Sequence, residues 1–244
     1  MNLLDVASGG ESLGAEGLLF SVAEQLKAPL TAIARQAELG QLTGQVELTD
    51  AAAIRTQATA ALTLVDSYLL GLDLMHRQTR LQLEPVSISS TVTDVAHDLS
   101  HFAEHYNVHL EVEVQGRYGP VMSSPQGLRA ALLSLGFALV EAQAAQDMRG
   151  PRRVVLATHR TPQGITTGVY GQYEKLSAQH WRAALGLAGR ARQPISALTS
   201  GNGAGLFVAD IILRSMETRL RVGRFQHQNG LAATFQPSQQ LSIV

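Results

Sequence analysis

Apolar residues recur at helical spacing along the first third of the chain. One run includes Leu26, Leu30 and Ile33, and a second run takes steps of three or four residues through Ile54, Ala58, Ala61, Val65, Tyr68, Leu72 and Met75. The polar segment QLTGQVELTD lies between the two runs, and its Asp50 is a suitable N-cap for the second helix. The pattern predicts an antiparallel helical hairpin over residues 17–78, preceded by an N-terminal segment, residues 1–16.

A single hairpin leaves much of both apolar stripes exposed to water. Two copies of the chain can bury these stripes in a four-helix bundle. We therefore expect a homodimer, with an interface formed by Leu26, Leu30, Ile33, Ala61, Val65 and Leu72. The alternative is that both stripes pack on the rest of the same chain.

The pattern changes after a connector at residues 79–86. Helical spacing returns over residues 91–106, 125–145 and 205–216, whereas residues 108–114, 152–160 and 163–173 have the character of strands. Residues 219–237 are expected to form a final hairpin with Asn229-Gly230 at its turn. Residues 87–244 are thus predicted to form a mixed sheet under a helix layer, which gives the whole chain an α+β fold.

Composition excludes several classes of protein. The 244 residues are 45% hydrophobic and 16% charged, so a sizeable core is available. Nineteen basic and 20 acidic residues give a net charge of -1, which argues against nucleic acid as a partner. The absence of cysteine excludes disulfides and thiolate chemistry. The sequence shows neither a secretory signal nor an apolar run that suggests a membrane span, so we expect a cytoplasmic protein.

Four segments, in order along the chain, resemble a known family. FSVAEQLKAPLTAIARQAEL resembles the H-box of bacterial sensor histidine kinases, and LEPVSISSTVTDVAHDLSHFAEHYNVHLEVEV is similar to the start of their ATP-binding domain. SPQGLRAALLSLGFALVEA is similar to the N-box helix, and GNGAGLFVADIIL to the glycine box. The resemblance implies that residues 17–78 are a dimerisation and phosphotransfer hairpin and that residues 87–244 are a GHKL-type α/β sandwich.

The chain departs from this family at the positions that carry its chemistry. Glu24 stands where the phosphoacceptor histidine is expected, and a carboxylate lacks the imidazole nucleophile. Phe137 replaces the N-box asparagine that coordinates Mg²⁺, and a phenyl ring offers a hard cation no oxygen. Gly171 replaces the adenine-binding aspartate, with Tyr173 and Lys175 at the glycine positions that follow. The departures predict no catalytic residues, no metal site and no cofactor, although ATP with Mg²⁺ stays an alternative.

Only the glycine box is kept, as Gly201, Gly203 and Gly205 ahead of a predicted helix. This geometry can present N–H groups to a phosphate, but glycines also serve ordinary tight turns. The nucleotide-lid region, residues 177–200, contains Trp181 and Leu185, which favour a packed helix over a mobile segment.

We therefore expect a catalytically inactive, histidine-kinase-like scaffold in two-component-type signalling. Its partner surface is predicted around Glu24, Gln25, Lys27 and Ala28, and its partner is expected to be a response-regulator receiver domain or a true histidine kinase. The alternative function is an ATP-binding enzyme of the GHKL class that uses the glycine box.

His97, His101 and His105 recur every four residues, which is the spacing of paired zinc ligands on a helix. The apolar positions of the same helix lie nearly opposite, so a solvent-exposed histidine stripe is the expected arrangement. The alternatives are that the stripe binds Ni²⁺ or Zn²⁺ adventitiously or that its histidines respond to pH.

Overall fold

The structure, a computed structural model, describes residues 48–77, 81–146, 150–173, 176–187 and 204–238, together with seven helical positions between Leu26 and Ala37. The helices are α1 (Leu48–Arg77), α2 (Ile88–His105), α3 (Pro125–Ala144), α4 (Ala178–Leu187) and α5 (Ala204–Ser215). The strands are β1 (Glu84–Val86), β2 (Val108–Val114), β3 (Val121–Ser123), β4 (Arg152–Thr161), β5 (Gly164–Gly171), β6 (Arg221–Phe225) and β7 (Gln228–Phe235).

Five strands form one mixed sheet in the order β2-β4-β5-β7-β6. β2 pairs with β4 in parallel, and the remaining neighbours are antiparallel. The crossover between the parallel strands contains α3, as a parallel connection requires. The prediction of a mixed sheet under a helix layer is therefore confirmed.

The main core lies between this sheet and helices α2, α3 and α5. Alternate residues of β5 turn toward the helices, and Ile165 and Val169 are buried there. α3 is buried on most of its surface, with Leu128, Leu135 and Leu139 at 2% exposure or less. An apolar helix of this kind belongs at the centre of a helix layer.

Side-chain caps set the starts of two helices close to where the sequence placed them. Ser87 accepts a hydrogen bond from the backbone N–H of Ser90 and caps α2, so that helix begins three residues earlier than predicted. Ser124 accepts from the N–H of Gly127 and caps α3, with Pro125 at its first position.

The connector contains an element that the sequence pattern did not reveal. β1 pairs with β3 in a separate two-stranded antiparallel sheet, with Val86 opposite Val121. Leu81 and Leu83 also pack against the main core. The described part of the connector, residues 81–86, is therefore anchored to the sandwich.

The last hairpin turns at a different place from the prediction. The turn residues are Gln226 and His227, because Phe225 pairs with Gln228 and Gly223 with Gly230. The Asn229-Gly230 prediction was therefore wrong. A Cβ at Gly230 would lie 2.1 Å from the carbonyl oxygen of Val169, so this glycine lets β7 approach β5.

α1 packs along one side on the helix layer of its own chain. Leu64 and Tyr68 are at most 2% exposed, and a Cβ at Gly71 would lie 3.4 Å from a methyl group of Val208 on α5. The other side carries Leu62 and Leu69, which are 65% and 58% exposed. Packing within the chain therefore accounts for one stripe of α1 and leaves a second stripe uncovered.

The β2 edge of the sheet carries charge. Arg153 forms ion pairs with Glu111 and with Glu113, the latter at 3.3 Å. Gln226, in the β6–β7 turn, donates from Nε2 to the second carboxylate oxygen of Glu113 at 2.7 Å. The final hairpin thus reaches across the outer face of the sheet, the face away from the helices.

Candidate functional site

The N-box position lies inside the core. Phe137 on α3 is 2% exposed, and its ring meets that of Phe102 on α2 edge to face at 4.7 Å between centroids. This is a favourable geometry for two buried aromatic rings. The side chain at this position therefore holds α2 and α3 together and has no oxygen to offer a metal ion.

Gly171, at the end of β5, is enclosed by neighbouring side chains. A Cβ here would lie 2.7 Å from Oε1 of Gln143 and 2.8 Å from the ring of Tyr173. The same Gln143 oxygen accepts a hydrogen bond from the backbone N–H of Gln172 at 3.0 Å. An aspartate side chain has no room at this position unless Gln143 and Tyr173 move.

Tyr173 fills the interior beside Gly171. Its side chain is 1% exposed, and its hydroxyl donates to the carbonyl oxygen of Leu139 on α3 at 2.7 Å. Burial raises the pKa of Tyr173 well above its usual value, so the hydroxyl stays neutral and keeps donating. A paired, neutral phenol is a stable core group.

Gly205, the last glycine of the glycine box, has a packing role. A Cβ at this position would lie 2.7 Å from the carbonyl oxygen of Ser134, so the glycine allows α5 to approach α3 closely. Gly201 and Gly203 lie outside the described residues. Close packing of the two helices therefore explains Gly205 without a bound ligand.

The lid region contains the helix that the sequence predicted. Trp181 on α4 is 4% exposed and stacks on Phe207 of α5, with ring centroids 6.1 Å apart. Its indole N–H donates to the carbonyl oxygen of Leu220 at 3.1 Å. The prediction of a packed helix is confirmed for Ala178–Leu187, and most of the remaining lid lies outside the described residues.

Asp210 is a buried carboxylate on α5 that sequence reasoning missed. It is 3% exposed, accepts from the backbone N–H of Leu220 at 3.3 Å, and pairs with Nε of Arg214 at 2.7 Å. Burial raises the pKa of Asp210, and the Arg214 charge opposes that shift. The carboxylate ties α5 to the segment that leads into β6.

A second missed contact connects α1 with the sandwich. Tyr106 hydrogen-bonds to Glu141 of α3, and burial together with the Glu141 charge raises the pKa of Tyr106 to about 12. The same two causes raise the pKa of Tyr68, which lies on the buried side of α1. Glu141 therefore acts electrostatically on both tyrosines. Tyr68 was assigned to the hairpin stripe, and its spacing alone does not reveal this neighbour.

His97 and His101 border a cleft of about 220 Å³ between α1, α2 and α3. The side chains of His97, His101 and His105 are exposed, as predicted. Nδ1 of His101 lies 3.3 Å from a carboxylate oxygen of Glu104. Among the described residues, no three His, Asp or Glu side chains are grouped so that they could hold a metal ion.

The predicted interface residues are distributed unevenly. Leu30 is 56% exposed, Ile33, Val65 and Leu72 are half-buried, and Ala61 is 7% exposed within its own chain. Leu26 packs against the main core. Glu24, Gln25, Lys27 and Ala28, which form the predicted partner surface, lie outside the described residues.

Within the described ranges, two helices are long and apolar enough to cross a membrane by length and composition. One is Pro125–Ala144, which the sandwich buries as its central helix, and the other is Ile54–Met75 within α1. Core helices of soluble proteins often meet the same criterion. The cytoplasmic location stays a prediction.

Two solved structures with a similar architecture are full-length ShkA and the histidine kinase AdeS. Full-length ShkA, solved in complex with AMPPNP, gives a TM-score of 0.54 at 19% identity over 78% of this chain. The histidine kinase AdeS of Acinetobacter baumannii gives 0.51 at 12% identity over 88% of this chain and 98% of its own. This chain spans only 39% of the length of ShkA. No protein-family model matches the sequence, and no curated protein matches it.

The sheet and the helix layer therefore form a mixed α+β fold similar to that of histidine kinases. Identities below one fifth show a shared fold and nothing of its chemistry.

Proposed function

We propose that this chain is a catalytically inactive, histidine-kinase-like scaffold that acts as a homodimer in two-component-type signalling. The observation that carries the proposal is the filled interior at two positions: Gln143 and Tyr173 enclose Gly171, to which the resemblance assigns adenine binding, and buried Phe137 stands where it assigns a metal ligand. The proposed function is therefore to bind partner proteins.

This chain is proposed to lack both the hydrogen-bond acceptor for adenine and the space for a nucleotide. The family's aspartate would accept a hydrogen bond from the adenine amino group, and such a charge-assisted bond contributes about 1.5–3 kcal/mol. That range corresponds to roughly ten- to a hundredfold in affinity. Phe137 adds a further loss, since the charge of a triphosphate needs a metal and the ring cannot hold one.

The partner surface of the scaffold is proposed to be the first helix around Glu24, Gln25, Lys27 and Ala28. A receiver domain of a response regulator, or a true histidine kinase, is the proposed partner. Glu24 keeps a negative charge at the phosphoacceptor position, although it cannot form a phosphoramidate.

The dimer is proposed to form through the hairpin. Leu62 and Leu69 project from the uncovered side of α1, and Leu30 is also largely exposed. Burying a leucine side chain contributes about 1.5–3 kcal/mol, so a few such residues from each copy suffice for association. The interface proposed from the structure therefore adds Leu62 and Leu69 to the residues that the sequence indicated.

Calorimetry with ATP and Mg²⁺ on the full chain tests the loss of nucleotide binding. We expect no binding tighter than roughly millimolar and no thermal shift. Radiolabelled ATP should leave the wild-type chain unlabelled. Glu24→His should also stay unlabelled, because Phe137 and Tyr173 are unchanged. A labelled wild-type band would overturn the assignment of an inactive protein.

Light scattering tests the dimer. Leu69→Glu should give a monomer at micromolar concentration while the folded signal is kept, because Leu69 is exposed within its own chain. Arg182→Glu reverses an exposed charge on α4 and serves as the matched control that keeps the dimer. A wild-type monomer would contradict the proposal.

A receiver domain and a true histidine kinase are tested separately as immobilised partners. Lys27→Glu should weaken capture of the partner at least tenfold, whereas Arg117→Glu, on the sandwich, should not. Equal capture by both variants would place the partner surface elsewhere.

The alternative function is an ATP-binding GHKL enzyme, and the retained Gly201, Gly203 and Gly205 favour it. Micromolar ATP binding that disappears in Gly203→Val would support this alternative.

A further inference from the structure

The outer face of the sheet carries a small core of its own and a groove beside it. The small core consists of Val155, Ala157, Tyr170, Phe225 and Ala232. The groove has a volume of about 610 Å³ and runs along β5, β7 and β6 toward the segment that precedes β6. Ligand pockets for small molecules commonly measure about 300–1,000 Å³.

Hydroxyl groups form the floor of the groove. Thr166 on β5 lies within hydrogen-bond distance of Thr161 on β4, at 3.2 Å, and of Thr234 on β7, at 2.8 Å. Thr218 donates to the carbonyl oxygen of Thr234 at 2.9 Å and fixes the loop at the end of the groove. A hydroxyl has one donor and two acceptor lone pairs, so this row keeps capacity for a ligand.

Cations follow one side of the groove. Arg219 and Arg221 line it together with a single carboxylate, that of Glu217. Both arginines are exposed, and in the part of the chain that the structure describes neither of them forms an ion pair. Guanidinium groups pair with phosphate through two parallel hydrogen bonds.

Two buried polar atoms of the groove lining have no hydrogen-bond partner among the residues that the structure describes. They are the hydroxyl of Tyr170, whose side chain is fully buried, and Nδ1 of His159. The two rings lie 6.3 Å apart, and both pack near Phe225. Unpaired buried polar groups are rare in proteins, and a ligand that reaches them removes their cost.

Gly223 keeps the groove open. It pairs with Gly230 on β7, and a Cβ at Gly223 would lie 3.8 Å from the Tyr170 hydroxyl and 3.6 Å from Ala232. These are ordinary contact distances, so a methyl group fits, whereas a longer side chain must extend into the groove. The glycine therefore provides a position where the groove can be filled without changing its charge.

We propose that this groove binds a phosphate monoester with a hydroxylated body, such as a sugar phosphate or a mononucleotide. The arginines bind the phosphate, and the threonine row binds the hydroxyl groups. The ligand also reaches the Tyr170 hydroxyl. The site lies on the face of the sheet opposite the helix layer, and the inference is independent of the proposed scaffold function.

Calorimetry on the full chain tests the proposal with three probes: ribose 5-phosphate, uridine 5′-monophosphate and inorganic phosphate. We expect one of the organic phosphates to bind at about millimolar or tighter, and at least tenfold more tightly than inorganic phosphate. The organic phosphate that binds more tightly distinguishes a sugar-phosphate site from a mononucleotide site.

Two pairs of variants locate the binding. Gly223→Leu should weaken the organic phosphate at least tenfold, and Gly223→Ala should stay within about threefold of wild type. Arg221→Ala should weaken it about ten- to a hundredfold, whereas Arg117→Ala, which removes the same charge elsewhere on the surface, should have no effect. Thermal unfolding of each variant checks the fold.

The proposal is overturned if neither organic phosphate binds at about 10 mM. It is also overturned if Arg221→Ala binds like wild type, or if inorganic phosphate binds as tightly as the organic probes. Arg221 is exposed, so its variant remains informative even if Gly223→Leu fails to fold.

Discussion

The two faces of the five-stranded sheet use tyrosine in opposite ways. On the helix side, Tyr173 is buried with its hydroxyl paired to the Leu139 carbonyl. On the outer side, Tyr170 is equally buried, but its hydroxyl has no partner within the described part of the chain and borders a groove. The helix side of the sheet is therefore closed core, whereas the outer side keeps open space beside polar atoms that lack a partner among the described residues.

The largest expected effect tests the filled side. Tyr173→Ala should lower the free energy of unfolding by about 3–5 kcal/mol, because the vacated volume cannot fully collapse. Urea denaturation followed by circular dichroism measures the change. A loss below about 1 kcal/mol would mean that the ring is not needed to fill this interior.

Asp210→Ala should cost about 1–3 kcal/mol, because it leaves the N–H of Leu220 buried without an acceptor. Asp210→Asn keeps an acceptor oxygen and is the matched control. Equal losses in the two variants would show that the charge, rather than the acceptor, matters.

The same residue predicts a dependence on pH. Burial raises the pKa of Asp210, so the folded chain holds this proton more readily than the unfolded chain does. The stabilisation that the Asp210 proton provides is therefore fully present below the pKa of about 4 that aspartate has in the unfolded chain. It is lost as the pH rises through the higher pKa of Asp210 in the folded chain. Denaturation of wild type and Asp210→Asn across this window should show the decline only in wild type.

A matched pair of substitutions compares the two faces directly. Tyr173→Phe should lower the free energy of unfolding by about 1 kcal/mol, because it removes a hydrogen bond that is made. Tyr170→Phe removes a hydroxyl that is unpaired, so it should leave stability unchanged or raise it slightly. Urea denaturation of both variants measures whether each substitution lowers or raises the free energy of unfolding. A loss in Tyr170→Phe as large as in Tyr173→Phe would show that the Tyr170 hydroxyl is paired in solution.

The smallest effect is expected at the edge of the groove. Arg221→Ala should change the free energy of unfolding by less than about 0.5 kcal/mol, because the side chain is exposed and makes no ion pair in the described structure. Thermal denaturation checks this value. A larger loss would assign Arg221 a structural role.

Much of the sandwich could be predicted from local patterns. Ser124 followed by Pro125 predicts a helix start with a side-chain acceptor, and the alternation of apolar and polar residues in β2 predicts a strand. Both signals depend only on residues that are close in sequence. Gly230 shows the limit of such signals. Asn-Gly indicates a turn, but here the glycine lets β7 pack closely against β5, a strand about 60 residues away in sequence.

The candidate sites show the same limit. The replacements Phe137 and Gly171 are visible in the sequence, but the enclosure of Gly171 by Gln143 depends on how α3 lies over β5. The groove was missed because its lining comes from strands that are distant in sequence. A period of two did place Arg219 and Arg221 on one side of an expected strand, and that was the available signal.

The charged edge at β2 restricts how copies of this chain can join. An open strand edge offers unpaired N–H and C=O groups to a neighbouring strand, which is a common route to aggregation. A second chain that added itself to β2 would crowd against the Glu111 and Glu113 carboxylates and disturb the ion pairs with Arg153. Strand addition at this edge of the sheet is therefore disfavoured.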